Sequence, residues 1–366
     1  MKVAILIDNL MNKGGAERMI FMLARALDAD IFAGTYDSDS TFEEFRNCRI
    51  TMLVPGKRGR FAALKSRSAF RKLRIPGYDV YLSFGGGTLE MARRHHPFLW
   101  YCNAPIRWVY DLYKDERARR SGLARLLFVM KAAFIRRKDQ AAVRSVDAIA
   151  SNSNNVRDRV RRFYPGRDAT TVYPPIETKN YKWLGQKGFY LSTARLDPIK
   201  RVDLAINAFL KMPDLKLVVA SSGPDETRLK DMAAGAQNIT FTGAVSEKEL
   251  ARLYGECIAT LAPSHKEDFG MIPLEGMAAG KPCIATNEGG YLETVIPLKT
   301  GLLVDPTDVD AMVKAIRWMT PERALRMQTD CEKHAARFDT AIFLKRIEQA
   351  LRKSRQRARK GIVKRL

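Results

Sequence analysis

The sequence predicts an α/β protein built from two doubly wound, parallel-sheet domains. Short apolar runs alternate with amphipathic segments along the whole chain, as they do when helices cover the faces of parallel sheets. At 366 residues the chain is longer than one hydrophobic core usually serves, which favours two domains. A proline-led polar stretch, starting at Pro174-Pro175, interrupts the alternation. We therefore predict a first domain over 1–175, a linker over 176–187 and a second domain over 188–338.

In the first domain, each expected strand is a short apolar run and each expected helix is an amphipathic stretch. The expected strands are Val3–Ile7, Asp30–Ala33, Ile50–Val54, Asp79–Phe84, Phe98–Cys102 and Asp147–Ser151. The expected helices are Ala16–Leu27, Thr88–Arg94, Leu123–Arg144 and Asn155–Phe163.

The same alternation restarts after the linker. The expected strands are Gly188–Ala194, Leu215–Ala220, Ile239–Thr242, Cys257–Ala262 and Pro282–Ala285, and helices are expected from Arg201, Pro224, Ser246, Gly270 and Tyr291. Ser246 and Glu249 have the spacing of a capping box, which supports a helix start at that point. Further helical sequence follows Asp339, and the segment 339–366 ends in a basic tail.

Composition narrows the class of protein further. The run VAILI near the amino terminus predicts a first strand, and no apolar run approaches the roughly 20 residues that span a bilayer. We therefore expect a cytoplasmic protein that is peripheral at the cytoplasmic face of the membrane. The five scattered cysteines favour reduced, mostly buried thiols over a disulfide frame or a zinc site; they are Cys48, Cys102, Cys257, Cys283 and Cys331.

The chain is strongly basic, with 63 Lys and Arg against 40 Asp and Glu and a formal net charge of +23. Its cations concentrate at 56–77, 117–138 and 351–366. Aromatic and aliphatic residues recur among them in the first two stretches, as in an amphipathic surface helix. Each of these two stretches is either a core helix whose solvent-exposed face is basic, or a segment that contacts an anionic membrane or a lipid diphosphate. Nucleic acid is disfavoured, because no nucleic-acid-binding module accompanies the charge.

The segment SHKEDFGMIPLEGMAAG, at 264–280, is the most informative motif. Glu267 and Glu275 are eight residues apart across a Phe-Gly turn, which predicts a loop acid at a strand end and a second acid about two turns into a helix. Unpaired amides and the helix dipole at the start of that helix favour an anion; the amides belong to Phe269, Gly270, Met271 and Ile272. A phosphate there, with a carboxylate on each side for hydroxyl groups, is the pattern of a nucleotide-sugar site.

Two other loops carry candidate ligand groups. Arg195 and Lys200 are five residues apart after an expected strand, placed to converge on a diphosphate. Fixed cations at that position stabilise the charge that develops on a leaving diphosphate without a metal. Gly14 and Gly15 follow the first expected strand and open a helix, where a backbone without side chains lets a ligand approach closely.

The Glu-x7-Glu spacing, with EDFG inside it and GMAAGKPCIAT after it, resembles the retaining glycosyltransferases of family 4, which are two-domain GT-B enzymes. The Arg195–Lys200 loop resembles their Gly-Arg-x4-Lys pattern with Ala194 in place of the glycine, and GGAER resembles their first glycine loop. YCNAPIRW, at 101–108, is similar to the Tyr-x-His-Thr-Pro-x-Arg-Tyr stretch of a subgroup rich in mannosyltransferases. Asn103 stands where those proteins have histidine, and an asparagine cannot titrate near neutral pH.

The resemblance implies a GT-B fold, with two Rossmann-like domains facing across a cleft, the acceptor on the first and the nucleotide sugar on the second. It implies a last helix that crosses back to the first domain. It places Glu267, Arg195 and Lys200 in catalysis, with Glu267 on the donor sugar and Glu275 on the ribose hydroxyls. The other implied donor-binding residues are Gly15, Val245, Phe269, Gly270, Met271 and Ile272. The acceptor-side or sugar-side candidates are Gly14, Asn103, Asp111 and His265.

We therefore expect a retaining hexosyltransferase that needs no metal or other cofactor. GDP-mannose is favoured as donor over a UDP-hexose because of the YCNAPIRW similarity. The expected partners are a nucleotide sugar, a glycan or lipid-linked acceptor and an anionic membrane surface, with no nucleic acid. The alternatives are a UDP-sugar-dependent transferase or a nucleotide-sugar epimerase of the same architecture, and a non-catalytic basic protein that binds RNA or lipid.

Overall fold

The chain folds into two compact α/β units in a computed structural model that describes residues 1–55 and 62–363. The first unit comprises Met1–Tyr173 together with the chain from Leu344 onward, and the second comprises Pro174–Phe343. Lys57, Arg58 and Arg60 of the first basic stretch lie outside the described residues, as do the last three residues of the tail.

The first unit holds a seven-stranded sheet in which every pair is parallel. Its strands are β1 (Val3–Leu10), β2 (Asp30–Tyr36), β3 (Ile50–Met52), β4 (Val80–Ser83), β5 (Phe98–Cys102), β6 (Ala148–Ser151) and β7 (Thr170–Thr171), in the order β3-β2-β1-β4-β5-β6-β7. On the central strand, Ala4 is paired with Asp30 of β2 and with Tyr81 of β4. Val3–Ile7 are all buried, because helices cover both faces of a parallel sheet.

In the part of the first unit that the structure describes, five α-helices accompany this sheet before the linker. They are α1 (Gly15–Ala26), α2 (Ala62–Lys72), α3 (Tyr113–Ala118), α4 (Gly122–Arg144) and α5 (Asn154–Phe163). The helix expected over 88–94 is a 3-10 helix at Gly87–Arg93. The hydroxyl of Thr88 donates to the carbonyl of Gly85 (2.7 Å), a local bond that competes with a regular α-helical start.

The second unit repeats the design with six parallel strands. They are β8 (Phe189–Ser192), β9 (Lys216–Val219), β10 (Ile239–Phe241), β11 (Thr260–Ala262), β12 (Cys283–Thr286) and β13 (Gly301–Val304), in the order β10-β9-β8-β11-β12-β13. Strand β13 is absent from the sequence prediction. It is short and opens with Gly301, where a Cβ would lie 1.9 Å from the carbonyl oxygen of Cys283 on β12. Only a glycine fits at this position. Because glycine is depleted in strands, its presence did not indicate one in the sequence.

The second unit's helices are α6 (Val202–Leu210), α7 (Glu226–Met232), α8 (Glu247–Glu256), α9 (Met271–Ala278), α10 (Tyr291–Thr294), α11 (Val309–Trp318), α12 (Pro321–Arg326) and α13 (Gln328–Ala336). The predicted cap of α8 is present, since Ser246 Oγ accepts from the amide of Glu249 (3.2 Å). The last helix, α14 (Thr340–Val363), belongs to the first unit from Leu344 onward. There, Arg355 pairs with Asp79 (3.4 Å).

Helix α4 is held in the first unit by a buried carboxylate. Asp139, near its carboxyl end, is 3% exposed and accepts hydrogen bonds from the hydroxyls of Tyr110 (2.8 Å) and Tyr164 (2.7 Å). The next residue, Gln140, donates from Nε2 to the carbonyl of Phe163 (3.0 Å). Burial raises the pKa of Asp139, while the two hydroxyl donors favour its charged form. These bonds fix the orientation of α4 about its axis.

Replacing Asp139 with alanine should destabilise the first unit. The change leaves two hydroxyl donors without their acceptor, and each unsatisfied buried group costs about 1–3 kcal/mol. We expect Asp139→Ala to lower the free energy of unfolding by about 2–4 kcal/mol in urea titrations. The control Asp310→Ala removes an exposed ion pair with Lys211 and should change the free energy of unfolding by about 1 kcal/mol or less. Equal effects of the two changes would contradict this role for Asp139.

Candidate functional site

The strand order of the second sheet locates its ligand-binding edge. The order reverses between β8 and β11, so the loops that leave these two strands diverge and open a crevice at their carboxyl ends, where open α/β sheets bind ligands. The amide of His265, in the loop after β11, donates to the carbonyl of Ile199, in the loop after β8 (2.8 Å). The backbone therefore ties together the two loops that the sequence singled out.

An ion pair connects these loops through side chains. Lys200 Nζ lies 2.7 Å from Glu267 Oε2, and the two side chains are only 30% and 17% exposed. On the same loop, Asp197 Oδ1 accepts from the amide of Ile199 (3.2 Å), and Arg201 adopts a positive φ of 52°. The structure thus brings together two of the three predicted catalytic residues.

A third loop, Asn287–Gly290 after β12, supports the backbone of Glu267. The amide of Gly290 donates to the carbonyl of Glu267 (2.8 Å). A Cβ on Gly289 would lie 2.3 Å from that carbonyl oxygen, and one on Gly290 would lie 2.3 Å from the Cα of Phe269. The two glycines are therefore a steric requirement for the position of the Glu267 loop.

Glu288, in the same loop, holds the residues just before Glu267. Its Oε1 lies 2.8 Å from His265 Nδ1 and accepts from the amide of Lys266 (2.9 Å), whose φ is 48°. His265, predicted on the sugar side, is thus engaged with Glu288. By resemblance, the sequence places Asn287-Glu288-Gly289-Gly290 in a loop near the donor sugar, without a separate role for the Glu288 carboxylate.

Helix α9 begins directly after Gly270, whose φ is 94° and whose Cα faces the ring of Tyr291, since a Cβ there would lie 2.5 Å from Cε1. The first amides of α9, including those of Met271 and Ile272, have no partner within the helix. Phe269, 2% exposed, packs near Phe338, with ring centroids 5.9 Å apart.

Glu275 occupies the fifth position of α9, just over one turn from its start. The predicted depth of about two turns is wrong, because the residues between Glu267 and Met271 lie outside the helix, which begins only at Met271. Glu275 Oε2 accepts from the hydroxyl of the buried Tyr254 (2.6 Å), which lies 2.7 Å from Thr193 Oγ1 at the end of β8. Burial, then the charge of Glu275, raises the pKa of Tyr254 well above its usual value, which keeps it a hydrogen-bond donor.

Arg195 and Val245 lie on two different loops of this unit, after β8 and β10 respectively. Arg195 is exposed after β8, and within the described part of the chain its side chain makes no hydrogen bond or ion pair. Val245 is half-buried between β10 and α8, two residues after Gly243, whose φ is 70°. Their predicted roles in catalysis and donor binding stay predictions.

The candidates of the first unit have different surroundings. Gly14 caps α1, and Gly15 is the first residue of that helix. The carbonyl of Asn103 accepts from Asn152 Nδ2 (2.9 Å). Both carboxylate oxygens of Asp111 are in ion pairs, with Arg107 (3.2 Å) and Arg159 (2.8 Å); these residues are joined in a structural network.

The first sheet has its own switch point, between β1 and β4, and a cavity of about 620 Å³ lies there. The carboxylate of Asp8, at the end of β1, accepts from the amide of Gly87 (3.0 Å), while its Oδ1 is buried without a hydrogen-bond partner. Burial raises the pKa of Asp8. The other polar lining residues include Asn9, Thr35, Arg67 and Lys131, and the apolar ones include Leu64, Ile106, Trp108 and Ile135. Sequence reasoning did not identify this cavity.

Residues 1–55 and 62–363 contain no group of three or more His, Cys, Asp or Glu side chains arranged to hold a metal ion. Asp308, which begins an Asp-x-Asp sequence, accepts from the amides of Asp310 and Ala311 and caps α11. In the same part of the chain, no helix has the length and apolarity needed to cross a membrane.

The fold matches that of solved GT-B glycosyltransferases. The chain is 22% identical to sucrose-phosphate synthase from Thermosynechococcus elongatus, with a TM-score of 0.76 over 95% of this chain and 98% of that chain. It is 17% identical to HepE from Anabaena in complex with UDP-glucose, with a TM-score of 0.74 over 95% and 99%. Two parallel-sheet units with these neighbours define a protein of the GT-B class.

Family models identify the chain more closely. The model for group 1 glycosyl transferases matches residues 176–338, and the model for Glycosyltransferase Family 4 matches residues 13–180. The chain belongs to glycosyltransferase family 4.

Curated relatives match over part of the sequence. One is a D-inositol 3-phosphate glycosyltransferase of Mycobacterium sp. strain JLS, 28% identical over 203 residues, which are 52% of this chain and 46% of the relative. Another is a GDP-mannose-dependent alpha-(1-6)-phosphatidylinositol monomannoside mannosyltransferase of Mycolicibacterium smegmatis, 31% identical over 182 residues, or 45% and 46%. The chain thus spans about half the length of these relatives.

Proposed function

We propose that this protein is a retaining, metal-independent glycosyltransferase that moves a hexose, with mannose from GDP-mannose favoured, onto an acceptor hydroxyl. The observation that carries the proposal is the Lys200–Glu267 ion pair at the switch point of the second sheet, with Glu275 on the helix that follows. A cation, two carboxylates and a helix start at one sheet edge suit a nucleotide diphosphate sugar.

Each of these groups has a distinct task. Arg195, Lys200 and the amides at the start of α9 bind the diphosphate, whose negative charge grows as the glycosidic bond breaks. Glu275, oriented by Tyr254, accepts hydrogen bonds from the ribose hydroxyls. Glu267 binds the hydroxyls of the donor sugar and stabilises the positive charge that develops on its ring. Lys200 holds Glu267 in place until the diphosphate is bound.

Retention is proposed to follow from attack on the face that the leaving group occupies. The acceptor oxygen bonds to the anomeric carbon as the bond to the diphosphate oxygen breaks, and the acceptor proton passes to the leaving phosphate. Mannose is favoured by the YCNAPIRW stretch and by the GDP-mannose-dependent relative. A UDP-hexose is the second candidate, since a structural neighbour was solved with UDP-glucose.

The donor proposal is tested by ligand-dependent melting and by product stereochemistry. We expect GDP to raise the melting temperature more than UDP does, and transfer from GDP-mannose to continue in EDTA. The anomeric proton of the product, followed by NMR from the first turnovers, should show the donor's α configuration. An inverted anomeric centre would contradict the proposed mechanism. Stabilisation by UDP alone would make a UDP-hexose the donor in place of GDP-mannose. Stabilisation by RNA without any nucleotide effect would favour the non-catalytic alternative.

Arg195→Ala should lower kcat by about 100- to 1,000-fold, the usual effect of removing one group that stabilises transition-state charge. Folding should be little affected, because Arg195 is exposed and outside the described hydrogen bonds and ion pairs. Steady-state kinetics and thermal melting measure the two effects. Arg326→Ala, another exposed arginine of this unit, is the matched control and should retain full activity. Parallel losses of turnover and stability in Arg195→Ala would reassign Arg195 to a structural role.

The cavity in the first unit supports a proposal for the acceptor. The unpartnered carboxylate oxygen of Asp8, with Asn9 and Thr35, offers hydrogen-bonding groups for sugar or polyol hydroxyls. Trp108 provides a flat apolar wall, and Lys131 Nζ lies 5.6 Å from the centre of its ring. We propose that the acceptor head group is a hydroxyl-rich ring with an anionic substituent, the Lys131 ammonium meeting the anion.

This proposal predicts a separation of effects between two cavity residues. Inositol 3-phosphate and free inositol serve as paired probes in calorimetric titrations. Asp8→Asn should weaken both by about tenfold, roughly 1.4 kcal/mol, because hydroxyl recognition is lost. Lys131→Gln should weaken the phosphate ester alone, with GDP binding unchanged in both variants. Equal weakening of the two probes by Lys131→Gln would contradict the anion-binding role.

A further inference from the structure

Helix α4 carries a row of large apolar side chains that nothing in the described chain covers. Leu123, Leu126, Leu127, Met130 and Phe134 are each between 53% and 71% exposed. Isolated exposed apolar residues are ordinary on protein surfaces, but a contiguous patch marks an interaction site. We call this row the α4 stripe.

The stripe lies on one face of the helix. At 3.6 residues per turn, its five positions fall within an arc of about 100°. The residues of the opposite face are buried in the first unit, where they pack or hydrogen-bond; they are Phe128, Ala132, Asp139, Ala142 and Val143. The helix is therefore fixed with its second apolar face outward, so the exposure of the stripe is a consequence of the fold.

The charge around the stripe has a single sign. Residues 117–138 contain eight Arg and Lys and no Asp or Glu. Arg137 and Lys138 are exposed on or beside the same arc, one turn beyond Phe134, and Lys138 Nζ lies 4.4 Å from the centre of the Phe134 ring. A surface that combines aliphatic side chains with cations alone is complementary to a surface that combines hydrocarbon with anions.

We infer that the α4 stripe docks the protein on an anionic lipid surface, with α4 lying in the plane of the membrane interface. Amphipathic helices with basic flanks bind in this manner, their apolar face at the boundary of head groups and acyl chains. Anionic lipids attract each nearby cation by about 1 kcal/mol, or about fivefold in affinity. A second copy of the chain is a poorer occupant, since a two-fold contact through this face would set Arg137 and Lys138 against cations of the same kind.

The position of the stripe relates it to the cavity. Lys131 and Ile135 of α4 line that cavity, and each follows a stripe residue directly in sequence, Met130 and Phe134 respectively. A head group on the membrane surface that contacts α4 would therefore lie close to the cavity. The membrane contact itself does not depend on the proposed function and is measurable without any donor or acceptor.

The test uses the full chain and vesicles of phosphatidylcholine with or without 30% phosphatidylglycerol, followed by co-sedimentation. We expect wild-type protein to bind the anionic vesicles at least tenfold more tightly than the neutral ones. Leu126→Ser with Leu127→Ser should weaken binding to anionic vesicles at least tenfold. The matched control, Leu298→Ser with Leu325→Ser, changes two leucines of similar exposure in the second unit and should bind as the wild type.

A charge pair completes the design. Arg137→Gln with Lys138→Gln should weaken binding to anionic vesicles by about 25-fold, at about fivefold per cation, and reduce its salt dependence. The control, Lys248→Gln with Lys333→Gln, changes two exposed lysines of the second unit and should leave vesicle binding and its salt dependence unchanged.

Unaltered vesicle binding by the stripe variants would overturn the inference. A concentration-dependent dimer that the leucine variant abolishes, without vesicle binding, would assign the stripe to a second copy. GDP binding, measured alongside, reports on the proposed function separately.

Discussion

The arrangement of both units depends on the reversal of strand order in a parallel sheet. At β8 and β11 the chain turns to opposite sides, so neither loop crosses the crevice and both leave polar groups at its rim. The Lys200–Glu267 ion pair spans this point, and so does the bond from the His265 amide to Ile199. At the equivalent point of the first unit, between β1 and β4, the Asp8 carboxylate accepts a hydrogen bond from the Gly87 amide. One topological rule thus places a charged group at each candidate site.

At the switch point of the second sheet, glycines next to the Glu267 loop allow the close backbone packing that positions it. Gly289 and Gly290 approach the backbone of Glu267 and Phe269 so closely that a methyl group would displace the loop. Gly270 leaves room for the Tyr291 ring in the same way. The acid in the loop and the start of α9 are therefore held in position by backbone packing.

The sequence was sufficient for the alternation of strands and helices and for the spacing of Glu267 and Glu275, because both are local patterns. It could not supply Tyr254, Thr193 or Glu288, which reach the site through packing between distant elements. The predicted helix depth of Glu275 is wrong because spacing alone does not show how many of the eight residues after Glu267 are helical, and three of them, at 268–270, precede the helix. The cavity around Asp8 was missed for a similar reason, as its lining comes from residues scattered between 8 and 135.

Helix α4 shows why net charge alone could not distinguish a core helix from a membrane-facing one. Its buried arc is anchored by Asp139 to two tyrosines, a neighbouring arc lines the cavity through Lys131, and the remaining arc is the stripe. The two interpretations of the basic stretch are therefore compatible, since they concern different faces of one helix. Because the anchor fixes rotation about the helix axis, the cation at the cavity and the apolar stripe keep a constant angular relation. A lipid-linked head group bound beside α4 would meet both.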